Sequence, residues 1–408
     1  MTSGPSWLNR NVVAMGATSL LSDASHEAAT AVLPGFLLAL GLPPVALGVI
    51  EGVSDALASF VKLGAGWLGD RTGRRWGLAV GGYTLTGLMP LILAVATTWP
   101  LVLAGKLLGW LGKGIRGPLR DAMLAESVAP EARGRAFGFH RAGDTIGAVI
   151  GPLLAAAVLA IYETATSTDA FRAVFLLALV PGLLSAATFA AFVRDPGKGA
   201  AAGLSFRSAM RTFSRPFRRF LAGVGLFGLG DFAPSLLILA ATTLLSPSLG
   251  IVGAGALAAG LYVLRNAVYA LGSFPVGALS DRTGRSVRLL AGGYVTGAVV
   301  AAGTALAFAL SIDAPAYFAL LFVLSGVLAA VQDTLEGVVT ADLGGATARA
   351  TAFGVLGTVN GIGDLVASAG VGLVWTIASP FAAFAAAAVL MLVGSAFVFA
   401  IPPEAHHA

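Results

Sequence analysis

Cysteine is missing from all 408 residues. Disulfides, thiolate metal sites and cysteine nucleophiles are therefore excluded together. Charge is scarce as well. Asp, Glu, Lys and Arg make up 11% of the chain, where a soluble domain uses roughly a quarter to cover its surface. Aromatic residues reach 9%, mostly Phe, a proportion that neither requires nor excludes an aromatic-lined drug pocket. The chain has no His-Glu-x-x-His zinc site and no Gly-x-Ser-x-Gly nucleophile elbow, and so lacks the sequence marks of metalloprotease and serine hydrolase chemistry. No stretch remains for a large soluble output domain. Neither an enzyme nor a sensor is expected.

What the chain has is apolar surface. Hydrophobic residues make up 57% and the mean hydropathy is +0.87. Stretches of about 20 apolar residues, enough to cross a ~30 Å hydrocarbon core, recur along the whole length. Twelve spans are expected at 12–39, 44–69, 77–97, 99–127, 135–162, 170–193, 220–245, 252–279, 289–311, 316–342, 351–378 and 380–401. This predicts an all-α membrane protein. Glycine, with 54 residues, suits helices that pack closely through small side chains. The first apolar stretch carries Asp23, His26 and Glu27 and shows no small-residue cleavage site, so it reads as a retained helix.

A net charge of +5 and a pI near 9.8 do not point to nucleic acid here, because the basic residues sit in short loops. Arg71, Arg74, Arg75, Arg133, Arg135, Arg282, Arg285, Arg288 and Arg349 all fall on one set of loops, and Arg172 is the exception on the other. Positive-inside topology then places both termini in the cytoplasm, and a bacterial inner membrane is the expected location. The central segment, 194–219, has Phe206, Met210, Phe213 and Phe217 at helical spacing. Arg207, Arg211, Arg215, Arg218 and Arg219 lie mostly on the other side. That pattern predicts an amphipathic basic helix lying on the lipid surface, the alternative being a solvated basic linker.

The two halves match each other. Residues 66–83 read GWLGDRTGRRWGLAVGGY and residues 277–294 read GALSDRTGRSVRLLAGGY, identical at 11 of 18 positions. Arg133 with Ala136-Phe137-Gly138 is echoed by Arg349 with Ala352-Phe353-Gly354. A duplicated six-helix unit follows: one bundle over 1–193, the linker 194–219, a second bundle over 220–401, and a tail at 402–408.

The duplicated loop resembles the signature motif of the major facilitator superfamily. Its residues here are Gly66, Asp70, Arg71, Gly73, Arg74 and Arg75, and in the second half Gly277, Asp281, Arg282, Gly284 and Arg285. The resemblance implies two pseudo-twofold bundles rocking around a central site, alternately open to each side. The motif's own chemistry is that of a cytoplasmic latch, with Arg74 able to reach Asp121 or Glu126 at the end of the fourth span, or else of a static anchor that fixes topology only. In the fifth span Gly138, Gly147, Gly151 and Pro152 look like the superfamily's antiporter motif, with Ala155 and Ala156 replacing the usual closing glycines. That motif implies export. Runs at 112–122 and 134–148 look like a bacterial subgroup with some metal-handling members.

Ionisable residues far from any loop are functional hypotheses by default, since each costs several kcal/mol in lipid unless paired or wet. Asp23, His26 and Glu27 share one helix face. Asp55, Lys113, Asp231, Arg265 and Asp364 fall near mid-depth, and Arg141 and Asp144 nearer the cytoplasm. In one reading these residues only form pairs that hold the bundle together. In the other, Asp23 or Glu27 binds a coupling proton and the rest meet the substrate. Asp23, His26, Glu27 and Asp55 would also form an oxygen/nitrogen ligand set for Mn, Fe(II), Co or Ni, if the cargo is a metal. Lys113, Arg141 and Arg265 would suit an organic anion. The expected function is proton-coupled export of a small charged or amphiphilic solute. The alternatives are uniport or import of an organic anion, and divalent metal transport. A monomer in contact with lipid and substrate is expected, with no cofactor beyond the proton gradient.

Overall fold

The computed structural model describes residues 7–72, 74–129, 132–162, 167–197, 213–343 and 349–401. Among them the regular elements are twelve α-helices, with no strand. These are α1 (Arg10–Ala39), α2 (Pro44–Thr72), α3 (Arg75–Val95), α4 (Trp99–Glu126), α5 (Arg133–Ile161), α6 (Ser167–Phe192), α7 (Arg215–Gly228), α8 (Pro234–Thr283), α9 (Ser286–Ala309), α10 (Pro315–Leu343), α11 (Arg349–Ile377) and α12 (Pro380–Phe399).

Local sequence explains where several of them start. Asn9 accepts from the Val12 amide at 3.1 Å and Ser379 from the Ala382 amide at 3.1 Å. These are ordinary N-caps for α1 and α12, the latter with Pro380 in its first turn. At the end of α8, Gly284 closes the helix with φ 61°, in the left-handed region that glycine enters at little cost. This accounts for the glycine in the second DRTGR.

Nine described stretches are long and apolar enough to cross a membrane, one of them, Pro234–Ser280, spanning 47 residues. Helices α1 and α4 fall outside that set because they carry the inward charges: Asp23 and Glu27 in α1, and Lys106, Lys113, Arg116, Arg120 and Asp121 in α4. Large apolar side chains remain open on the surface, including Phe274 at 83%, Ile161 at 80% and Leu271 at 78%. Lipid accommodates such a surface; water does not.

The chain forms two compact units. The first comprises 1–42, 53–201 and 249–263, and the second 43–52, 202–248 and 264–408. They differ from the repeat-based halves in two stretches, 43–52 and 249–263. In the first unit α1 packs on α5 and α6, and α3 on α4 and α6. In the second, α9 packs on α12 and α10, and Phe227 stacks on Tyr294 with ring centres 3.7 Å apart.

Two expectations need correction. The seventh span is not continuous. Helix α7 stops at Gly228 and the chain resumes at Pro234, leaving Leu229–Ala233 unwound. Proline pushes the residue before it out of the helical region, and Ala233 has ψ 139°. Its amide donates to Ser368 Oγ at 3.0 Å. Within α8 the helical geometry breaks at Gly250, φ 69° and ψ 164°, so two helical stretches meet there, inside the interval expected between the seventh and eighth spans. The described end of the basic segment also differs from expectation, since its apolar residues do not face lipid. Phe213 and Phe217 are buried in the second unit, while Arg215, Arg218 and Arg219 are exposed. Phe206, Met210 and the arginines Arg207 and Arg211 lie outside the described residues.

Candidate functional site

Helix α4 supplies the chemistry of the first unit. Lys113, Arg116, Gly117 and Arg120 recur at three- and four-residue spacing and so share one face. They line a cavity of 410 Å³ together with Asp23 from α1, Lys62 from α2, Pro118 and Asp121 from α4, and Arg141 and Asp144 from α5. Five cations face three carboxylates. Arg116 Nη2 lies 3.8 Å from Asp23 and its guanidinium sits 4.4 Å from the centre of the Tyr83 ring. Its side chain is 3% exposed, yet Nε and Nη1 have no hydrogen-bond partner. Lys113 Nζ lies over the Trp110 ring at 4.2 Å. Arg120 pairs with Asp121 at 2.8 Å. Asp144 accepts from Ser19 and lies 3.5 Å from His140 and 3.7 Å from the exposed Arg141.

Glycines of α5 let α1 approach this cavity. A side chain at Gly147 would strike the α1 backbone at Leu20 and Ala24 and lie 3.1 Å from the Asp23 side chain. One at Gly151 would strike Ala24 and Ala28. Gly143 meets Gly16 in the same way. Gly138, expected on this face, has open space around it. Pro152 lies within the helix.

The expected cluster on α1 does not converge on one point. Asp23 turns to Arg116, while His26 packs edge-on against Trp110 with centroids 4.9 Å apart. Glu27 accepts from Tyr262 Oη at 2.8 Å. Successive positions on a helix face point to different neighbours, and among the described residues no three His, Asp or Glu side chains group as a metal would need. Asp55 is half-buried in α2.

The latch also differs from expectation. Arg75, not Arg74, reaches Glu126, through two bonds of 2.9 Å, and adds Asp195 at 2.8 Å. Arg74 is the residue before α3 and is exposed; Arg75 is its first helical residue and turns inward. Asp121 is taken by Arg120 instead. In the second repeat Arg285 has the backbone of Arg74, φ −116° and ψ 39° against −100° and 36°. The position of Arg75 is filled there by Ser286, which meets Ser280 at 2.8 Å. Arg282 is exposed, and Gly277 lies beside Thr334. Gly73 and the side chains of Asp70, Arg71 and Asp281 lie outside the described residues, and Gly66 is described only as part of α2.

The other predicted charges lie in the second unit. Asp231 sits in the unwound stretch and accepts from Gln332 Nε2 at 2.8 Å. Arg265 donates to Ser325 at 3.1 Å and to Asn266 at 3.0 Å. Asp364 is half-buried in α11. Sequence reasoning passed over Lys62 and Arg120, whereas Arg116 counts among the ionisable residues far from any loop. The Lys113–Arg116–Arg120 spacing was the signal that could have found Arg120.

The model of the Major Facilitator Superfamily matches residues 15–264. The chain belongs to that superfamily. An uncharacterized MFS-type transporter of Methanocaldococcus jannaschii is 30% identical over 389 residues, covering 95% of this chain and 93% of its own. A probable 4-methylmuconolactone transporter of Cupriavidus pinatubonensis is 28% identical over 271 residues, covering 63% and 59%. Among solved structures, the nucleoside transporter NupG superposes with a TM-score of 0.76 at 14% identity, over 96% of this chain and 98% of that one. The protein is thus a multi-pass membrane transporter with the twelve-span facilitator fold, not an enzyme.

Proposed function

We propose that this transporter carries a small organic anion and holds it in the α4 cavity. One observation carries the reading: Lys62, Lys113, Arg116, Arg120 and Arg141 outnumber Asp23, Asp121 and Asp144 around a space of 410 Å³. That volume lies at the small end of ligand pockets. Two nitrogens of Arg116 are buried without a partner, and a planar guanidinium fork suits a carboxylate. A relative 28% identical over 271 residues is named for a small organic cargo, 4-methylmuconolactone.

The cavity also supplies a route to coupling. An ionised Asp23 competes with an incoming anion for Arg116; a proton on Asp23 releases the guanidinium. Proton and anion then bind together, which favours co-transport. Export in exchange for protons is the second reading. It draws on the α5 glycines seated against α1 at Asp23, and it needs a cationic solute that competes with the proton for that carboxylate. In either cycle the Arg75–Glu126–Asp195 cluster serves as the latch that opens and closes.

The test is thermal stability of purified protein with benzoate, muconate, choline, glucose and Mn²⁺. A ligand at a hundredfold excess over its Kd stabilises by about 2.7 kcal/mol. The anions should raise the melting temperature, and Lys113→Ala or Arg116→Gln should abolish the shift. Stabilisation by choline or Mn²⁺ with none from any anion would remove the anion reading. Flux into proteoliposomes under an imposed pH gradient then decides direction and coupling.

A further inference from the structure

The duplicated Gly-Gly-Tyr sets an equivalent tyrosine in each unit, and each faces a buried ionisable group of opposite sign. Tyr83 lies against Arg116, 4.4 Å from ring centre to guanidinium. Tyr294 donates to Glu336 Oε1 at 2.6 Å. Asn360 Nδ2 donates to the other oxygen, Oε2, also at 2.6 Å. Glu336 is 3% exposed, and no lysine or arginine among the described residues makes an ion pair with it.

The surroundings make this acid unlike Asp23, which has Arg116 beside it. From α9, Tyr294 faces Glu336; from α11, Asn360; from the unwound stretch before α8, Asp231; from α10 itself, Asp333. Helix α8 brings Tyr269, which donates to Asp333 at 2.6 Å, and Arg265, which donates to Ser325 of α10 at 3.1 Å and lies near Asp231. The two charged groups that act on Glu336 itself are both acidic. Two neutral donors do not offset a full negative charge taken out of water, which costs several kcal/mol when no cation accompanies it. A carboxylic acid escapes that cost by holding its proton. It keeps both contacts when it does so, because the Tyr294 hydroxyl can turn from donor to acceptor.

We propose that Glu336 binds a proton reversibly, making Tyr294–Glu336–Asn360 the proton site of the second unit. The proton is exchanged with water when the contacts to α9 and α11 loosen, and with it the cluster gains or loses one charge. The unwound stretch at Asp231, next to this site, is where the chain can move without breaking a helix. The inference does not depend on the anion reading, since it concerns the acid and not the cargo.

The test needs no substrate. Infrared difference spectra of the purified protein in lipid, recorded across a pH titration, detect the carbonyl stretch of a protonated carboxylic acid. The expected result is such a band at neutral pH that fades as the pH is raised and is lost in Glu336→Gln. Tyr294→Phe keeps the acid but removes its hydroxyl partner, so the band should move to higher frequency. The proposal is overturned if Glu336→Gln leaves the band intact, or if no band is present at neutral pH. A band constant at every pH where the protein stays folded also overturns it. Should Glu336→Gln fail to fold, Tyr294→Phe decides alone: a shifted band supports the site and an unshifted one sinks it.

Discussion

Removing Arg75 tests the latch most directly. Its side chain is 5% exposed and that of Glu126 is 19% exposed, and two parallel bonds of 2.9 Å join them. A hydrogen bond to a charged group contributes about 1.5–3 kcal/mol. The fraction of Glu126 open to water screens part of this, so the coupling energy between the two residues should be about 2 kcal/mol. Arg75→Ala alone should cost more, about 3 kcal/mol, because it strands Asp195 as well as Glu126. The assay is a double-mutant cycle of Arg75→Ala, Glu126→Gln and the pair, by equilibrium unfolding in mixed micelles. Single losses that simply add, with coupling below about 0.5 kcal/mol, would refute the inference that these residues hold each other. They would also return the latch to a topology signal only.

Other outcomes follow from packing and backbone. Gly147→Val should destabilise by about 1–3 kcal/mol through collision with α1, whereas Gly138→Ala, with open space around it, should be neutral or stabilising by up to about 1 kcal/mol; thermal unfolding of both variants checks the opposite signs. Gly284→Ala should cost about 1 kcal/mol or more, since φ 61° strains any side chain, and an unchanged melting temperature would contradict it. Arg172→Ala should loosen the end of α3, whose Ala94 and Ala96 carbonyls Arg172 binds. Faster amide exchange after residue 94 is the readout.

The parts of the fold that were legible from sequence rest on regularities within a few turns of chain. Apolar runs mark helices that must satisfy their own backbone in lipid. The repeated DRTGR and GGY mark a duplication. The break before Pro234 was not read, because a five-residue stretch with a single charge, Asp231, passes for part of the apolar run around it. Hydropathy measures solvent preference, not backbone angle.

The site was legible only in part, for a geometric reason. Neighbouring residues on a helix are rotated by about 100°, so one position separates the exposed Arg74 from the inward Arg75. The sequence alone determined the membrane class, the helical architecture and its duplication, since these follow from composition, period and internal identity. Only the tertiary structure decided the partners. Asp23 goes to Arg116, Glu27 to Tyr262 and Glu336 to Tyr294, each pairing distant in the chain and set by which helix faces pack together. A side chain's charge is written in its identity, but whether that charge is matched depends on the neighbour that folding brings.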